Sequence, residues 1–181
     1  MDALLDTSIL SWNIRGAQNN NVRRQLKNII RKYNPAYLAI FETHIPFANL
    51  STFWNNNGYT PVHVIDASGH SGGIWLMIQT ATTTISTVLD SNQYSITFTI
   101  SRGNAITTCT CVYASPNPTM RSNFWNYLTN ISHTLAGPWM LIGDLNETLL
   151  PSDWGGAFFN TTEPLNSQIL CTTATSLILQ P

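Results

Sequence analysis

Oxygen-bearing side chains follow several apolar segments of the sequence at the points where those segments end. Asp144 and Asn146 come after the apolar run 139–142 and Gly143. Such a run is typical of a buried strand, and Gly143 lets the backbone bring both side chains out at the strand's carboxyl end. In α/β proteins, ligands bind at that edge of the sheet. Because Gly, Asp and Asn are also ordinary turn residues, this segment alone is equally compatible with an Asx turn.

Glu42 occupies a similar position, directly after the apolar run 37–41. A carboxylate there either caps a loop or binds a cation, because an unpaired charge at a half-buried position is costly. Of the two, we favour metal ligation. His44, two residues later, is more typical of a loop histidine than of a ligand, and we leave it outside the predicted site.

The elements that position Asn13 and Glu42 form a predicted β-α-β unit. The strand 9–13 ends at Asn13, and a helix with a 3.6-residue apolar period follows, with Asn20 or Asn21 as its cap and Asn34-Pro35 as its end. The strand 37–41 comes next. Such a crossover is right-handed and makes the strands parallel, so we expect Asn13 and Glu42 at the same edge of one sheet.

Tyr113 ends another predicted strand, 105–113, and Asn117-Pro118 then opens a helix with an apolar stripe. The tyrosine hydroxyl could face a ligand, although such tyrosines more often hydrogen-bond to backbone. The stripe consists of Met120, Phe124, Leu128, Ile131 and Leu135.

The middle of the sequence predicts short strands with short connections, which favour an antiparallel meander. These strands are 59–65, 73–79, 83–89, 94–101 and 105–113. A short helix is predicted within 47–58, and a weak last helix within 164–175. The glycine-rich run 69–73 lacks the lysine and spacing of a P-loop, so we interpret it as a turn that lets backbone or His70 approach another group.

Composition limits the class of protein. The 181 residues suit one domain, residues 1–181, with 43% hydrophobic but only 9% charged residues and a net charge of −1. This charge argues against binding nucleic acid by bulk electrostatics. Six of the eight basic residues nevertheless fall in one segment, either as a solvated helix face or as a binding face: Arg15, Arg23, Arg24, Lys27, Arg31 and Lys32.

The three cysteines are too few and too irregularly spaced for a disulfide framework or a zinc site, and Cys109 and Cys111 should share one strand face. The sequence shows no basic-then-apolar leader and no apolar run of the ~18 residues that a membrane span needs. We therefore expect an intracellular protein, nuclear or cytoplasmic, with no membrane partner and no protein partner that the sequence identifies.

Taken in order, several motifs resemble those of the endonuclease/exonuclease/phosphatase superfamily. They are Trp12-Asn13, Glu42-Thr43, 71–76 (SGGIWL), 112–118 (VYASPNP) and 143–147 (GDLNE). The resemblance is strongest to the endonuclease domain of LINE-type retrotransposons of plants, and it spans nearly the whole chain. None of the motifs is specific alone, but together they are.

The resemblance implies a four-layer α/β sandwich of the DNase I type, with two mixed sheets flanked by helices and a site at one rim. It implies that Glu42 holds a Mg²⁺ ion with support from Asn13, and that Tyr113 contacts the scissile phosphate. Asp144 and Asn146 would position the attacking water and the transition-state oxygens. DNA is the implied partner, and Arg15, Arg23, Lys27 and Arg31 are the residues that we expect to contact it weakly.

One departure from the family pattern affects activity. Family members continue with an R-L-D strand and an S-D-H motif whose histidine is the general base, whereas these 181 residues end at Gln180-Pro181 without them. We therefore expect a domain that is truncated at its C-terminal end, with its last strands missing. Three functions stay open: a Mg²⁺-dependent endonuclease, an inactive retroelement remnant that binds nucleic acid or protein weakly, or a hydrolase of a small phosphoester.

Overall fold

A computed structural model describes residues 8–69, 72–82 and 84–146, apart from the side chain of residue 102, and the backbone of 177–179. The predicted helix within 164–175 lies outside these residues, as does His70.

Two mixed β-sheets form the centre of the structure. The first sheet has the order β1-β2-β4-β3, and the second has the order β5-β6-β7-β8-β9. The strands of the first sheet are β1 Ile9–Asn13, β2 Tyr37–Phe41, β3 Tyr59–Ile65 and β4 Ile74–Gln79. Those of the second are β5 Ile85–Asn92, β6 Ser95–Arg102, β7 Ala105–Tyr113, β8 Trp139–Asp144 and β9 Leu177–Leu179. The helices are α1 Asn20–Tyr33, α2 Ser51–Asn56, which follows a 3-10 turn at Phe47–Leu50, and α3 Pro118–Ser132.

Three apolar layers separate four layers of secondary structure. Leu26 of α1 and Trp54 of α2 pack on the outer face of the first sheet. Phe41 and Phe98 belong to the core between the two sheets, and Phe124 of α3 packs on the outer face of the second sheet. The predicted α/β four-layer sandwich is therefore confirmed.

The β-α-β unit forms as predicted. Strands β1 and β2 are parallel, and Asn13 pairs with Phe41. Glu42, the residue after Phe41, therefore lies at the same edge of the first sheet as Asn13. The predicted cap of α1 was wrong by one residue: the side chain of Asn19 accepts the backbone N–H of Asn21 at 2.8 Å. Asn34 ends the helix in the left-handed conformation.

The predicted antiparallel meander is divided between the two sheets: β3 pairs with β4, and β5, β6 and β7 are consecutive and antiparallel. Strands β3 and β4 belong to the first sheet, where β4 lies between β2 and β3. The chain therefore changes sheets between β4 and β5. Short connections predict which strands follow each other but not this change.

The stripe predicted for α3 also differs at its start. Met120 is exposed, whereas Arg121, Phe124 and Leu128 are buried. The helix begins where the sequence predicts, because the side chain of Asn117 accepts the backbone N–H groups of Thr119 and Met120.

Cys109 and Cys111 share the inner face of β7, as predicted, and burial raises the pKa of the Cys109 thiol to about 12. Among the described helices, none combines the length and hydrophobicity that crossing a bilayer requires.

Candidate active site

Two hydrogen bonds join the sheets at the rim formed by the carboxyl ends of β1, β2, β7 and β8. Asn13 Nδ2 donates to Asp144 Oδ2 at 3.1 Å, and the Tyr113 hydroxyl donates to Glu42 Oε1. Asn146 lies beside them, since its backbone N–H donates to Asp144 Oδ1 at 3.0 Å. The structure thus brings together all five residues for which the sequence predicts catalytic or metal-binding roles; the roles themselves stay predictions.

Strand register explains this arrangement. Tyr113 pairs with Asp144 at the ends of the parallel strands β7 and β8. The sequence suggested that the strand ends at Gly143. Instead, Gly143 lies within β8 at a φ of +135°. A Cβ atom there would collide with the backbone carbonyl of Val112. The glycine is therefore needed for the close approach of β7 and β8 next to the site.

The loop after β8 is held by the loop after β7. Asn146 Nδ2 donates to the Ala114 carbonyl at 2.6 Å, and the Ala114 N–H donates to the Asp144 carbonyl at 2.9 Å. Asn146 itself has a positive φ of 47°. Because its side chain already has this partner, the backbone of Asn146 is fixed while its amide oxygen can bind another group.

The segment 42–44 crosses the rim in a strained conformation. Glu42 and His44 have φ values of 52° and 59°, which are uncommon for residues other than glycine. The loop after β1 holds the segment: Gly16 N–H donates to the Glu42 carbonyl at 2.7 Å, and Ala17 N–H to the Thr43 carbonyl at 2.9 Å. His44 consequently faces the site, with Nε2 3.8 Å from Glu42 Oε2.

Sequence reasoning left His44 out of the site. A lone histidine after a strand carries little information, and the left-handed backbone at Glu42 and His44 that brings the two side chains together has no sequence signal.

The glycine-rich run packs against this segment. A Cβ atom on Gly73 would collide with the hydroxyl of Thr43, which is fully buried. His44 N–H also donates to the Gly72 carbonyl at 3.4 Å. The close approach that the sequence predicts for this run is therefore made by glycine backbone against Thr43 and His44.

Electrostatics keep the Tyr113 phenol protonated. Burial raises its pKa, and the hydrogen bond to Glu42 and the negative charges of Glu42 and Asp144 raise it further, while Arg15 lowers it. The phenol is therefore a hydrogen-bond donor at neutral pH, beside two carboxylates.

The residues at the rim fit a weakly held hard cation. Within the described residues, no group of three or more His, Cys, Asp or Glu side chains forms a metal cluster. The rim instead offers the carboxylates of Glu42 and Asp144 and the amide oxygen of Asn13. Mg²⁺ is typically bound by one or two carboxylates and keeps several waters, so this donor set is compatible with it.

The basic residues of α1 extend away from the rim. Lys27 and Arg31 are exposed, and Arg15 is exposed at the rim itself. Arg23 is half-buried and donates from its guanidinium to the Gln18 carbonyl at 2.8 Å, so it also holds the loop before α1. Contacts of these four residues with nucleic acid stay predictions.

Arg121 is a second residue that sequence reasoning missed. It is buried, and its Nη1 donates to the carbonyls of Ser115 and Pro116 at 3.2 and 3.1 Å. It thus supports the loop that follows Tyr113. A single arginine in an amphipathic helix gives no sequence signal for this role.

Comparison with known proteins identifies the family of the chain. A family model described as the Endonuclease/Exonuclease/phosphatase family matches residues 10–169. None of the curated proteins compared with the chain matches it.

Several solved structures are similar in fold. The endonuclease domain of TRAS1, a telomere-specific non-LTR retrotransposon, is 12% identical, with a TM-score of 0.60 over 82% of this chain and 64% of its own. TDP2 from D. rerio, complexed with single-strand DNA product, is 15% identical, with a TM-score of 0.59 over 78% of this chain and 61% of its own. An AP endonuclease from Archaeoglobus fulgidus is 14% identical, with a TM-score of 0.57 over 81% and 60%. The chain therefore spans less than two thirds of each of these three proteins, and the likeness shows the fold alone.

Proposed function

Because the chain belongs to the endonuclease/exonuclease/phosphatase family, we propose that it is a Mg²⁺-dependent phosphodiester hydrolase that acts on DNA. The observation that supports this most strongly is the meeting of Asn13, Glu42, Tyr113 and Asp144 at one rim through two cross-sheet hydrogen bonds. Phosphodiester hydrolysis needs neutralised phosphoryl oxygens and an aligned water molecule. A cation held by carboxylate and amide oxygens would supply the first, and carboxylate, amide and phenol groups would align the water, without a covalent intermediate.

Glu42 and Asn13 are the proposed metal-binding residues. Glu42 Oε1 accepts the Tyr113 hydroxyl, while Oε2 has no described hydrogen bond and faces His44, so it can bind a cation. A bound Mg²⁺ would neutralise charge on the phosphoryl oxygens and polarise water. The Glu42 carboxylate is only 18% exposed, which excludes most competing water.

Tyr113 and the pair Asp144 and Asn146 are the proposed phosphate- and water-positioning residues. The protonated Tyr113 phenol can transfer its hydrogen bond from Glu42 to a phosphoryl oxygen when substrate binds. Each oxygen of Asp144 accepts one described hydrogen bond, from Asn13 or from the backbone of Asn146, which fixes the carboxylate while leaving lone pairs to orient water.

We further propose a retrotransposon origin of the LINE type, which the motif order and the similar fold of the TRAS1 endonuclease domain support. DNA would lie across the rim, beside Arg15, and towards the exposed face of α1. The proposed plant origin rests on the sequence resemblance alone.

A second candidate function is weak binding of nucleic acid without catalysis. The observation that favours it is the basic face of α1, where Lys27 and Arg31 are exposed.

A plasmid assay distinguishes the two functions. It measures nicking of supercoiled plasmid in Mg²⁺ by the 181-residue chain fused at Pro181 to a relative's segment that contains Ser-Asp-His. We expect nicking that is abolished by Glu42→Ala and by Asp144→Ala, and kept by the control His133→Ala at the exposed end of α3. Nicking that survives Glu42→Ala would contradict the proposed metal site. A folded chain that binds DNA but never nicks it would favour the second function.

A further inference from the structure

We propose that His44 binds the divalent metal together with Glu42, which makes the site a mixed nitrogen and oxygen site. This inference rests on the proposed function, since it concerns the same metal. Its basis is the placement of the two side chains by the segment 42–44.

The separation of the two side chains fits a shared ion. His44 Nε2 lies 3.8 Å from Glu42 Oε2, which is too long for a hydrogen bond. Two ligands at about 2.1 Å from one ion lie about 3.0 Å apart when adjacent in an octahedron and about 4.2 Å apart when opposite, so the separation of 3.8 Å lies within the range that one ion spans. The two side chains are 33% and 18% exposed, so an ion between them would be partly shielded while keeping room for water and a phosphate oxygen.

The backbone of the segment aims both side chains at the rim. The segment 42–44 carries Glu42 and His44 to the rim, whereas Thr43 is fully buried against Gly73. The Thr43 hydroxyl has no hydrogen-bond partner among the described residues, so packing rather than hydrogen bonding holds this side chain.

Strain at Glu42 and His44 is consistent with a functional requirement. Each positive φ at a non-glycine residue costs of order 1–3 kcal/mol and persists only where the surroundings enforce it. Here the enforcing contacts are the backbone hydrogen bonds that the N–H groups of Gly16 and Ala17 donate and the one that the Gly72 carbonyl accepts.

An imidazole ligand changes the metal preference of the site. Carboxylates and water suit Mg²⁺ and Mn²⁺ alike, whereas imidazole suits transition metals rather than Mg²⁺. We therefore expect Mn²⁺ to bind more tightly than Mg²⁺. Mn²⁺ also provides a direct probe, because its electron spin reports nitrogen nuclei in its ligands.

The test is electron spin-echo envelope modulation of Mn²⁺ bound to the full 181-residue chain, combined with a Mn²⁺ titration. We expect modulation from one imidazole nitrogen. It should disappear in His44→Asn, a substitution that suits the left-handed backbone at this position, and Mn²⁺ affinity should fall about tenfold or more. The matched control His133→Ala should keep both the signal and the affinity.

The outcomes separate this inference from the proposed function. Bound Mn²⁺ that is lost in Glu42→Gln but shows no nitrogen modulation would overturn the role of His44, leaving an ion pair with Glu42, and would keep the metal site. Unchanged modulation in His44→Asn would also overturn it. Failure of Mn²⁺ to bind, in a chain whose fold is verified by circular dichroism, would overturn both proposals.

Discussion

Asn13 and Asp144 are 131 positions apart in the sequence and are joined at the site by one hydrogen bond across the two sheets. Sequence reasoning predicts that each ends a strand at a sheet edge, because apolar runs and the β-α-β connection fix that much. It does not predict that two different sheets bring those ends together. The pairing depends on how the sheets stack, and the resemblance to a known family implied that stacking.

We expect the Asn13–Asp144 hydrogen bond to stabilise the sandwich as well as the site. In a double-mutant cycle of Asn13→Ala and Asp144→Ala, the coupling in the free energy of unfolding should be about 1 kcal/mol, because the bond is to a charged acceptor but only partly buried. Urea denaturation provides the measurement. A cycle of Asn13→Ala with His133→Ala should be additive, and a coupling of zero for the first pair would mean that the contact is not maintained in solution.

Gly73 should be more sensitive to substitution than another glycine in the left-handed region. An alanine Cβ would collide with the Thr43 hydroxyl and approach the backbone nitrogen of Ala67 at 3.2 Å, at a φ of +92°. Combining the backbone and overpacking costs, we expect Gly73→Ala to lower the free energy of unfolding by about 3 kcal/mol.

The matched control is Gly69→Ala, which also has a positive φ but whose Cβ would meet nothing within 4 Å. It should cost only about 1 kcal/mol. Thermal or urea unfolding of both variants compares them, and equal losses would contradict the packing of Gly73 against Thr43.

At the scale of elements, helix α1 carries the basic residues Arg23, Lys27 and Arg31. Arg31 follows Arg23 by eight residues, so their backbone positions lie about 12 Å apart along the helix. Since Arg23 also holds the Gln18 carbonyl, its substitution would disturb the loop before α1. Lys27 and Arg31 are exposed and therefore suit charge reversal better.

We expect DNA binding to weaken when Lys27 and Arg31 are both changed to Glu. The slope of log affinity against log salt concentration should also become shallower, by the amount that corresponds to the loss of about two phosphate contacts. Fluorescence anisotropy at several salt concentrations measures both quantities. Reversing Arg23 and Lys27 together to Glu should abolish binding. Unchanged affinity and slope in both doubles would mean that this face is only solvated.

Tyr59 connects β3 to the loop that follows α1, because its buried hydroxyl donates a hydrogen bond to the Pro35 carbonyl. Tyr59→Phe should cost about 1 kcal/mol at neutral pH, since that carbonyl loses its partner.

The same substitution should alter alkaline stability. Burial raises the pKa of Tyr59 to about 12, above its unfolded value near 10. The stabilisation from the protonated phenol is thus complete below about pH 10 and is lost as the pH rises towards 12. Urea unfolding at pH 8, 10 and 11 should show a smaller loss of stability for Tyr59→Phe than for the parent chain, and equal losses would contradict the shifted pKa.

Element boundaries were predicted best where the local pattern is strong. Residues 59–65 and 105–113 form strands with the predicted limits, because β-branched and aromatic residues are bounded by turn residues. Gly143 was misinterpreted as a strand end because glycine often breaks strands. Its actual constraint is the neighbouring Val112 carbonyl, which is a tertiary contact that local pattern cannot reveal.

For the whole molecule, the four-layer architecture was predictable from the motif order through the family resemblance, whereas the periodicity alone gave only a β-α-β unit and a set of strands. The placement of β4 between β2 and β3 and the change of sheet before β5 are global choices. They depend on which sheet face each apolar residue is buried against: Trp75 belongs to the core between the first sheet and its helices, and Phe98 to the core between the two sheets. Short-range sequence signals do not encode this choice.

The last prediction concerns activity of the 181-residue chain. Because it contains no Ser-Asp-His run, we expect Mg²⁺-dependent plasmid nicking to be very low, since a general base typically contributes ~10²–10⁴ in rate. Fusing a relative's segment with that motif after Pro181 should raise both nicking and solubility. Robust nicking by the unfused chain, lost in Glu42→Ala and Asp144→Ala, would show that the base is supplied differently. No gain in a folded fusion would show instead that substitutions within these residues have ended catalysis.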